Sequence, residues 1–325
     1  MKKPVTSDWF FYKNKGVVMN RVWVSGDAVV DLIPDSTTSY LKCPGGAPAN
    51  VAVAVSRLGG DSAFFGRVGD DPFGRFMQET LCSEGVNTDF MVIDQAQRTS
   101  TVVVDLDDSG ERSFTFMVKP SADQFMQPSD IPLFSENQWL HICSIALANE
   151  PSRSSTFLAM RQIKDAGGFI SFDPNLRDDV WADQSEIRAV VLDAVAMADV
   201  VKFSDDELLF LTKTNSLEAG LAAIKKYHNK LVLITQGAKG ALLITENNQE
   251  LIAGKAVKPV DTTGAGDAFV GGLITYLAQS DCWSDIEQIR EAVKWANGCG
   301  ALATTQKGAM TALPLRNELK QYLLN

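Results

Sequence analysis

Short apolar runs recur along the chain, and longer segments with apolar residues three and four apart lie between them. Val22-Trp23-Val24 reads as a first strand running into Gly26-Asp27. Phe169-Ile170-Ser171-Phe172, Asp199-Val200-Val201, Leu231-Val232-Leu233-Ile234 and Ala241-Leu242-Leu243-Ile244 read as further buried strands. Helical spacing covers residues 51–58, where Val51, Val55 and Leu58 share a face, and then 156–166, 187–197 and 217–226. Continuously apolar strands separated by helices predict a mainly parallel sheet covered on both faces.

One region breaks the pattern. Residues 99–104 are β-branched and apolar, Asp107-Asp108-Ser109-Gly110 is a turn signal, and residues 113–118 alternate. These form a predicted hairpin, and Leu32-Ile33 with Tyr40-Leu41 are placed beside it. The reading is a small β-sheet lid, segments about 31–44 and 98–119, inserted into one α/β domain over 19–325. Residues 1–18 are expected to be an extension outside the core. They lack the continuous apolar stretch and small-residue cleavage site of a signal peptide.

Composition narrows the class. The 325 residues are 45% hydrophobic and 22% charged, so a large core is available. A net charge of -10 with no Lys/Arg block argues against a nucleic-acid binder. No apolar run is long enough to span a bilayer. The five cysteines are irregularly spaced without a Cys-x-x-Cys pair, which suits reduced thiols in the cytoplasm. With two histidines only, a His-based metal site or a Ser-His-Asp triad is a poor fit.

The strongest chemical signal is Asp261-Thr262-Thr263-Gly264-Ala265-Gly266-Asp267-Ala268-Phe269. Phe269, Val270, Leu273, Ile274 and Leu277 follow at helical spacing, so the glycines sit in the turn that opens a helix. Backbone N–H groups at such a start favour an anion that develops charge. Asp267, in the first turn, is placed to deprotonate a hydroxyl attacking a phosphoryl group. The plain alternative is a tight loop with an aspartate cap. No Gly-x-x-x-x-Gly-Lys-Ser/Thr loop occurs, and no Gly-x-Gly-x-x-Gly follows the first strand.

Residues 261–274 resemble the second signature of the ribokinase/PfkB family of carbohydrate and nucleoside kinases. Gly46-Ala47-Pro48-Ala49-Asn50, Ala52, Gly59 and Gly69 stand at the spacing of its first signature. The resemblance runs from Met19 onward. It implies a ribokinase-like three-layer α/β/α domain with a small β-sheet lid. It makes Asp267 the catalytic base and Gly264, Ala265 and Gly266 the anion hole. Asp31 would grip sugar hydroxyls, with Gly45, Gly46 and Asn50 as the sugar loop; Asn50 could equally be a helix N-cap. Ser204 and Glu207 occupy an Asn-x-x-Glu motif whose asparagine is absent here, Glu207 reaching magnesium through water. Thr235, Gly237, Gly240 and Asn297 would contact the nucleotide. Asp261, Thr263, Ala303, Gln306 and Gly308 would hold a potassium ion. Arg177, after the Asp173-Pro174-Asn175 turn, could neutralise a phosphate.

Gly26-Asp27-Ala28-Val29-Val30-Asp31, Arg98-Thr99-Ser100-Thr101, Phe114-Thr115-Phe116 and residues 307–314 are most similar to bacterial fructokinases. Aminoimidazole riboside kinases share much of this. Phe114 and Phe116 would cover the sugar. The expected partners are D-fructose and MgATP, with a homodimer formed through the lid. A catalytically silent sugar or nucleotide sensor is the competing class, and an intact Asp267 argues against it.

Overall fold

The computed structural model describes residues 20–106 and 112–324. The expected extension over 1–18 and the turn over 107–110 lie outside the described residues. In chain order the elements are β1 (Val22–Ser25), β2 (Val29–Ser36), β3 (Ser39–Gly45), α1 (Ala47–Arg57), β4 (Ser62–Gly69), α2 (Pro72–Ser83), β5 (Asn87–Asp94), β6 (Thr101–Leu106) and β7 (Arg112–Phe116). Then come β8 (Trp139–Cys143), α3 (Ser152–Asp165), β9 (Phe169–Asp173), α4 (Ile187–Met197), β10 (Val200–Ser204), α5 (Asp205–Thr212) and α6 (Leu217–Ile224). The chain closes with β11 (Leu231–Thr235), β12 (Gly240–Ile244), β13 (Gln249–Ala253), α7 (Ala265–Ala278), α8 (Ile286–Ala303) and α9 (Arg316–Leu324).

The central sheet runs β13-β12-β11-β10-β9-β8-β1-β4-β5. It is parallel from β11 to β5, and β12 and β13 add an antiparallel edge. Strand alternation feeds two cores. Val22, Val24, Leu231 and Leu233 face the core shared by α1, α2, α7 and α8, while Trp23, Val232 and Ile234 face the one built with α3, α4, α5 and α6. This is the expected three-layer arrangement. Helix α1 begins earlier than its apolar spacing predicts, because Pro48 suits a first turn and Gly46 starts it. Helix α6 ends at Ile224, where a short 3-10 turn takes over.

A separate four-stranded sheet has the order β3-β2-β6-β7. Its hairpins β2–β3 and β6–β7 are antiparallel, and β2 and β6 join them in parallel. Val29, Val102 and Val104 form its own small core with Ile33 and Phe116 packed against them.

Strand order reverses at β1. The chain moves from β1 to β4 and β5 on one side, then returns to β8 on the other. Ligands bind at the carboxyl ends of strands flanking such a switch point. Those ends lead here into Gly26-Asp27 after β1 and Ser144-Ile145 after β8.

Candidate active site

A cavity of 1020 Å³ opens between the small sheet and the carboxyl edge of the large one. Asp267 lies in its wall, 8% exposed, in the first turn of α7. That helix starts at Gly264, whose φ of 76° is left-handed and whose Cα faces Ala309; a Cβ there would come within 2.9 Å of Ala309 Cα. The first intrahelical bond, Ala268 N–H to Gly264 O, spans 2.8 Å. The preceding N–H groups of the turn have no acceptor within the helix, and Gly264 and Gly266 line the cavity.

Asn50 crosses from α1 to donate its Nδ2 to Asp267 Oδ2 at 2.7 Å. It is not the cap of α1: Gly46 holds that place, and Asn50 N–H donates to Gly46 O at 2.9 Å. The Oδ1 of Asn50 is buried without a partner, so the side chain holds the carboxylate through Nδ2 and leaves its own acceptor unsatisfied. Burial raises Asp267 above the ordinary carboxylate range, while Asn50, Lys202 and Arg177 pull it down.

Asp31, Phe114 and Phe116 reach the cavity from the small sheet. Phe114 and Phe116 share one face of β7 because they are two residues apart. Gly45 sits against Asp31, and any side chain at 45 would collide with that carboxylate. Gly46 and Arg177 also line the cavity. Arg177 is exposed and donates to Leu176 O at 2.7 Å.

Ser204 and Glu207 lie at the start of α5 as a capping box: Ser204 N–H donates to Glu207 Oε2 at 2.8 Å, and Glu207 N–H to Ser204 Oγ at 3.2 Å. Glu207 Oε1 accepts from Leu176 N–H at 3.1 Å. With both oxygens occupied by backbone donors, Glu207 fits an ion reached through water better than a direct ligand. Thr235 pairs with Ser204 across β10 and β11, one strand away from the cavity wall. Gly237 opens the 3-10 turn that follows, and Gly240 caps its end. Asn297 donates to Ile252 O at 2.8 Å and ties α8 to β13. Neither it nor Thr235, Gly237 or Gly240 lines the cavity.

Asp261 joins two loops. Its Oδ1 accepts from Thr263 N–H at 3.1 Å and from Thr263 Oγ at 2.8 Å, and its Oδ2 accepts from Gly308 N–H at 2.8 Å. Thr304 O, beside Ala303 and Gln306, accepts from Val260 and Asp261 N–H. The segments carrying the expected cation ligands are therefore held side by side. Of those five residues Asp261 and Thr263 line the cavity, while Ala303, Gln306 and Gly308 do not.

Sequence reasoning assigned no role to several cavity residues, among them Lys202, Asp173 and Asp27. Lys202 donates to both oxygens of Asp173 at 3.1 and 3.0 Å, and both side chains are nearly buried. Burial alone would depress the Lys202 ammonium, but the carboxylates of Asp173, Glu207 and Asp267 hold it protonated. The ammonium lies beside Gly266, 3.5 Å from where its Cβ would stand. A lysine inside the apolar run Val200-Val201-Lys202-Phe203 was the available signal. The third is Asp27, 3% exposed, discussed below.

The model of the family described as "pfkB family carbohydrate kinase" matches residues 19–316. The fructokinase of Vibrio alginolyticus is 68% identical over 305 residues, covering 94% of this chain and 99% of that one. Fructokinase from Vibrio cholerae O395, solved in a fructose-, ADP- and calcium-bound form, superposes with a TM-score of 0.91 at 65% identity, covering 94% of this chain and 99% of that one. Aminoimidazole riboside kinase from Salmonella enterica, solved with aminoimidazole riboside and an ATP analogue, has a TM-score of 0.88 at 41% identity over 94% of this chain and 100% of that one. The glycine-led helix start, its buried aspartate and the lidded cavity thus sit in a chain that belongs to the pfkB family of carbohydrate kinases.

Proposed function

We propose that this chain is an ATP-dependent fructokinase, moving the γ-phosphoryl group of ATP to the 6-hydroxyl of D-fructose to give fructose 6-phosphate and ADP. The observation that carries the reading is the Asn50–Asp267 pair at the start of α7: a buried carboxylate held at 2.7 Å, beside an acceptor left unsatisfied. Fructokinases at 68% identity over almost the whole chain favour fructose over the riboside.

In this mechanism Asp267 takes the proton of the 6-hydroxyl as its oxygen bonds to the γ-phosphorus. The bond from that phosphorus to the β,γ-bridging oxygen breaks, and ADP leaves. Burial strengthens Asp267 as a base, since its pKa is raised towards the working pH. Gly264, Ala265 and Gly266 supply N–H donors for the charge on the transferring group, with Lys202 beside them. Asp31, Gly45, Gly46, Asn50, Phe114 and Phe116 form the sugar side. Arg177, Ser204, Glu207, Thr235, Gly237, Gly240 and Asn297 belong to the phosphate and nucleotide side. Glu207 would hold, through water, a magnesium ion carried with ATP, which would supply charge neutralisation at the phosphates. Potassium is assigned to the loops joined by Asp261, where it would hold the helix start in place. The lid, segments about 31–44 and 98–119 of one kinase domain over 19–325, excludes water and pairs two chains as a homodimer; Tyr40, Leu41 and Met117 stand exposed on it. The cytoplasm is the assigned compartment, consistent with five free thiols.

A coupled assay of ADP release tests the reading with fructose, ribose, tagatose, 2-keto-3-deoxygluconate and aminoimidazole riboside. Fructose should give the highest kcat/KM. Asp267→Asn should lower kcat by about 10²–10⁴ with little change in KM. An Asp267→Asn protein as fast as the parent removes the mechanism, and turnover of the riboside alone removes the substrate.

A further inference from the structure

Helix α1 ends on an arginine with every side-chain nitrogen engaged. Arg57 Nε and Nη2 donate to Glu84 Oε2 and Oε1 at 2.8 and 2.7 Å, a fork on the residue that caps the end of α2. The third nitrogen, Nη1, crosses to a different part of the fold. It donates to Leu313 O at 2.8 Å and to Met310 O at 3.1 Å, carbonyls of the segment built around the short 3-10 turn Met310–Ala312.

That segment backs the turn that opens α7. Met310, Ala312 and Leu313 are buried. Ala309, next to Met310, is the residue on which Gly264 packs. Gly308 N–H reaches Asp261 Oδ2, and the other oxygen of Asp261 holds Thr263, one residue before Gly264. The rest of α1 is committed to the same place. Asn50, Ala54 and Arg57 stand at positions i, i+4 and i+7, on one face of the helix. Asn50 donates to Asp267. Ala54 packs on α7 so closely that a Cβ at Gly271 would stand 2.3 Å from its own. One face of α1 therefore sets both the base and the loop against which the Gly264 turn rests.

We propose that Arg57 is a positioning residue for phosphoryl transfer, fixing segment 308–313 so that the N–H groups of Gly264 to Gly266 keep their aim at the transferring group. Arg57 does not line the cavity and acts only through that segment. The inference rests on the kinase reading of the Gly264 turn. Donors fixed in advance stabilise developing charge best, and a displacement of about 1 Å in such a set costs about 10²-fold in rate. A lysine supplies one nitrogen and cannot span Glu84 and both carbonyls.

Arg57→Met and Arg57→Lys test this, with Ser56→Ala as control. Ser56 Oγ donates to Glu84 O at 2.6 Å, so its loss loosens the same join between α1 and α2 and leaves segment 308–313 untouched. In steady-state kinetics Arg57→Met should lower kcat for fructose by about tenfold to 10²-fold, with KM for fructose and ATP within about twofold of the parent. Arg57→Lys should fall by about tenfold, and it carries the comparison if Arg57→Met does not fold. Ser56→Ala should keep the parent kcat. Calorimetry with ADP and aluminium fluoride, a planar mimic of the transferring phosphoryl group, should show affinity falling by the same factor as kcat. Fructose alone and ADP alone should bind as they do to the parent. A variant that binds fructose normally and keeps the parent kcat overturns the inference. Equal weakening of fructose, ADP and the mimic overturns it too, since the loss is then of the fold and not of aim. A wild-type protein that leaves fructose unphosphorylated overturns the fructokinase reading instead, and the ratio of mimic to ADP affinity still decides Arg57.

Discussion

Single residues in this site are held at the expense of solvation. Asp27 is the plainest case, because its Oδ1 has no protein donor. Its folded pKa is raised from an ordinary 3.8 to about 7 by burial and by Asp123. Between those values the unfolded chain releases the proton while the folded chain keeps it. The contribution of Asp27 to stability is therefore full below about pH 4 and is lost as pH rises through about 7. Urea denaturation of wild type and Asp27→Asn at pH 5 and pH 7.5 checks this. The wild-type protein should lose stability relative to the variant on going to the higher pH, by at most about 1.4 kcal/mol per pH unit. A difference independent of pH would mean that Asp27 is ionised throughout. This titration was not legible in the sequence, where Asp27 is one of 40 acidic residues. Asp267 was legible, because the glycines before it and the helical spacing after it are local.

Among the elements, the junction between lid and core is the informative one. Asp71 caps α2, accepting from Phe73 and Gly74 N–H at 3.0 and 2.8 Å. The same carboxylate accepts from Thr99 N–H and Thr99 Oγ, each at 2.8 Å, just before β6 begins. Thr99 Oγ also receives Gly69 N–H at 3.0 Å from the end of β4. One side chain thus caps a helix and fastens the root of the lid. Asp71→Ala should cost about 2 kcal/mol in denaturant unfolding, at the upper end for a lost cap. It should also raise KM for fructose more than it lowers kcat, since Phe114 and Phe116, proposed to cover the sugar, ride on the lid. An unchanged KM would separate the cap from the lid. The lid hairpins themselves were readable from alternation. Their parallel joint between β2 and β6 was not, because pairing partners in a sheet are chosen by contacts distant in sequence.

At the scale of the whole molecule, the net charge of -10 and the lid's exposed apolar side chains pull in opposite directions. Like charge keeps chains apart, whereas Tyr40 at 55% and Leu41 at 53% exposure favour burying that surface against a second copy. Sedimentation equilibrium should report a dimer for the wild-type chain and a monomer for Leu41→Glu. A monomeric wild type would remove the pairing.

The sequence by itself determined the period of the elements read from it, the two-faced parallel sheet, the reaction class and the place of Asp267 at the start of α7. These follow from spacings within a few residues, and a local pattern survives whatever the rest of the chain does. Tertiary structure alone decided which groups meet. Asn50 reaches Asp267 across 217 residues, Lys202 finds Asp173 across 29, and Asp27 is buried with one oxygen unpartnered. Each of these depends on the order of strands in the sheet and on the depth of burial. Strand order and the exclusion of water are properties of the packed chain, and they set both the charge and the hydrogen-bonding state of the residues that line the cavity.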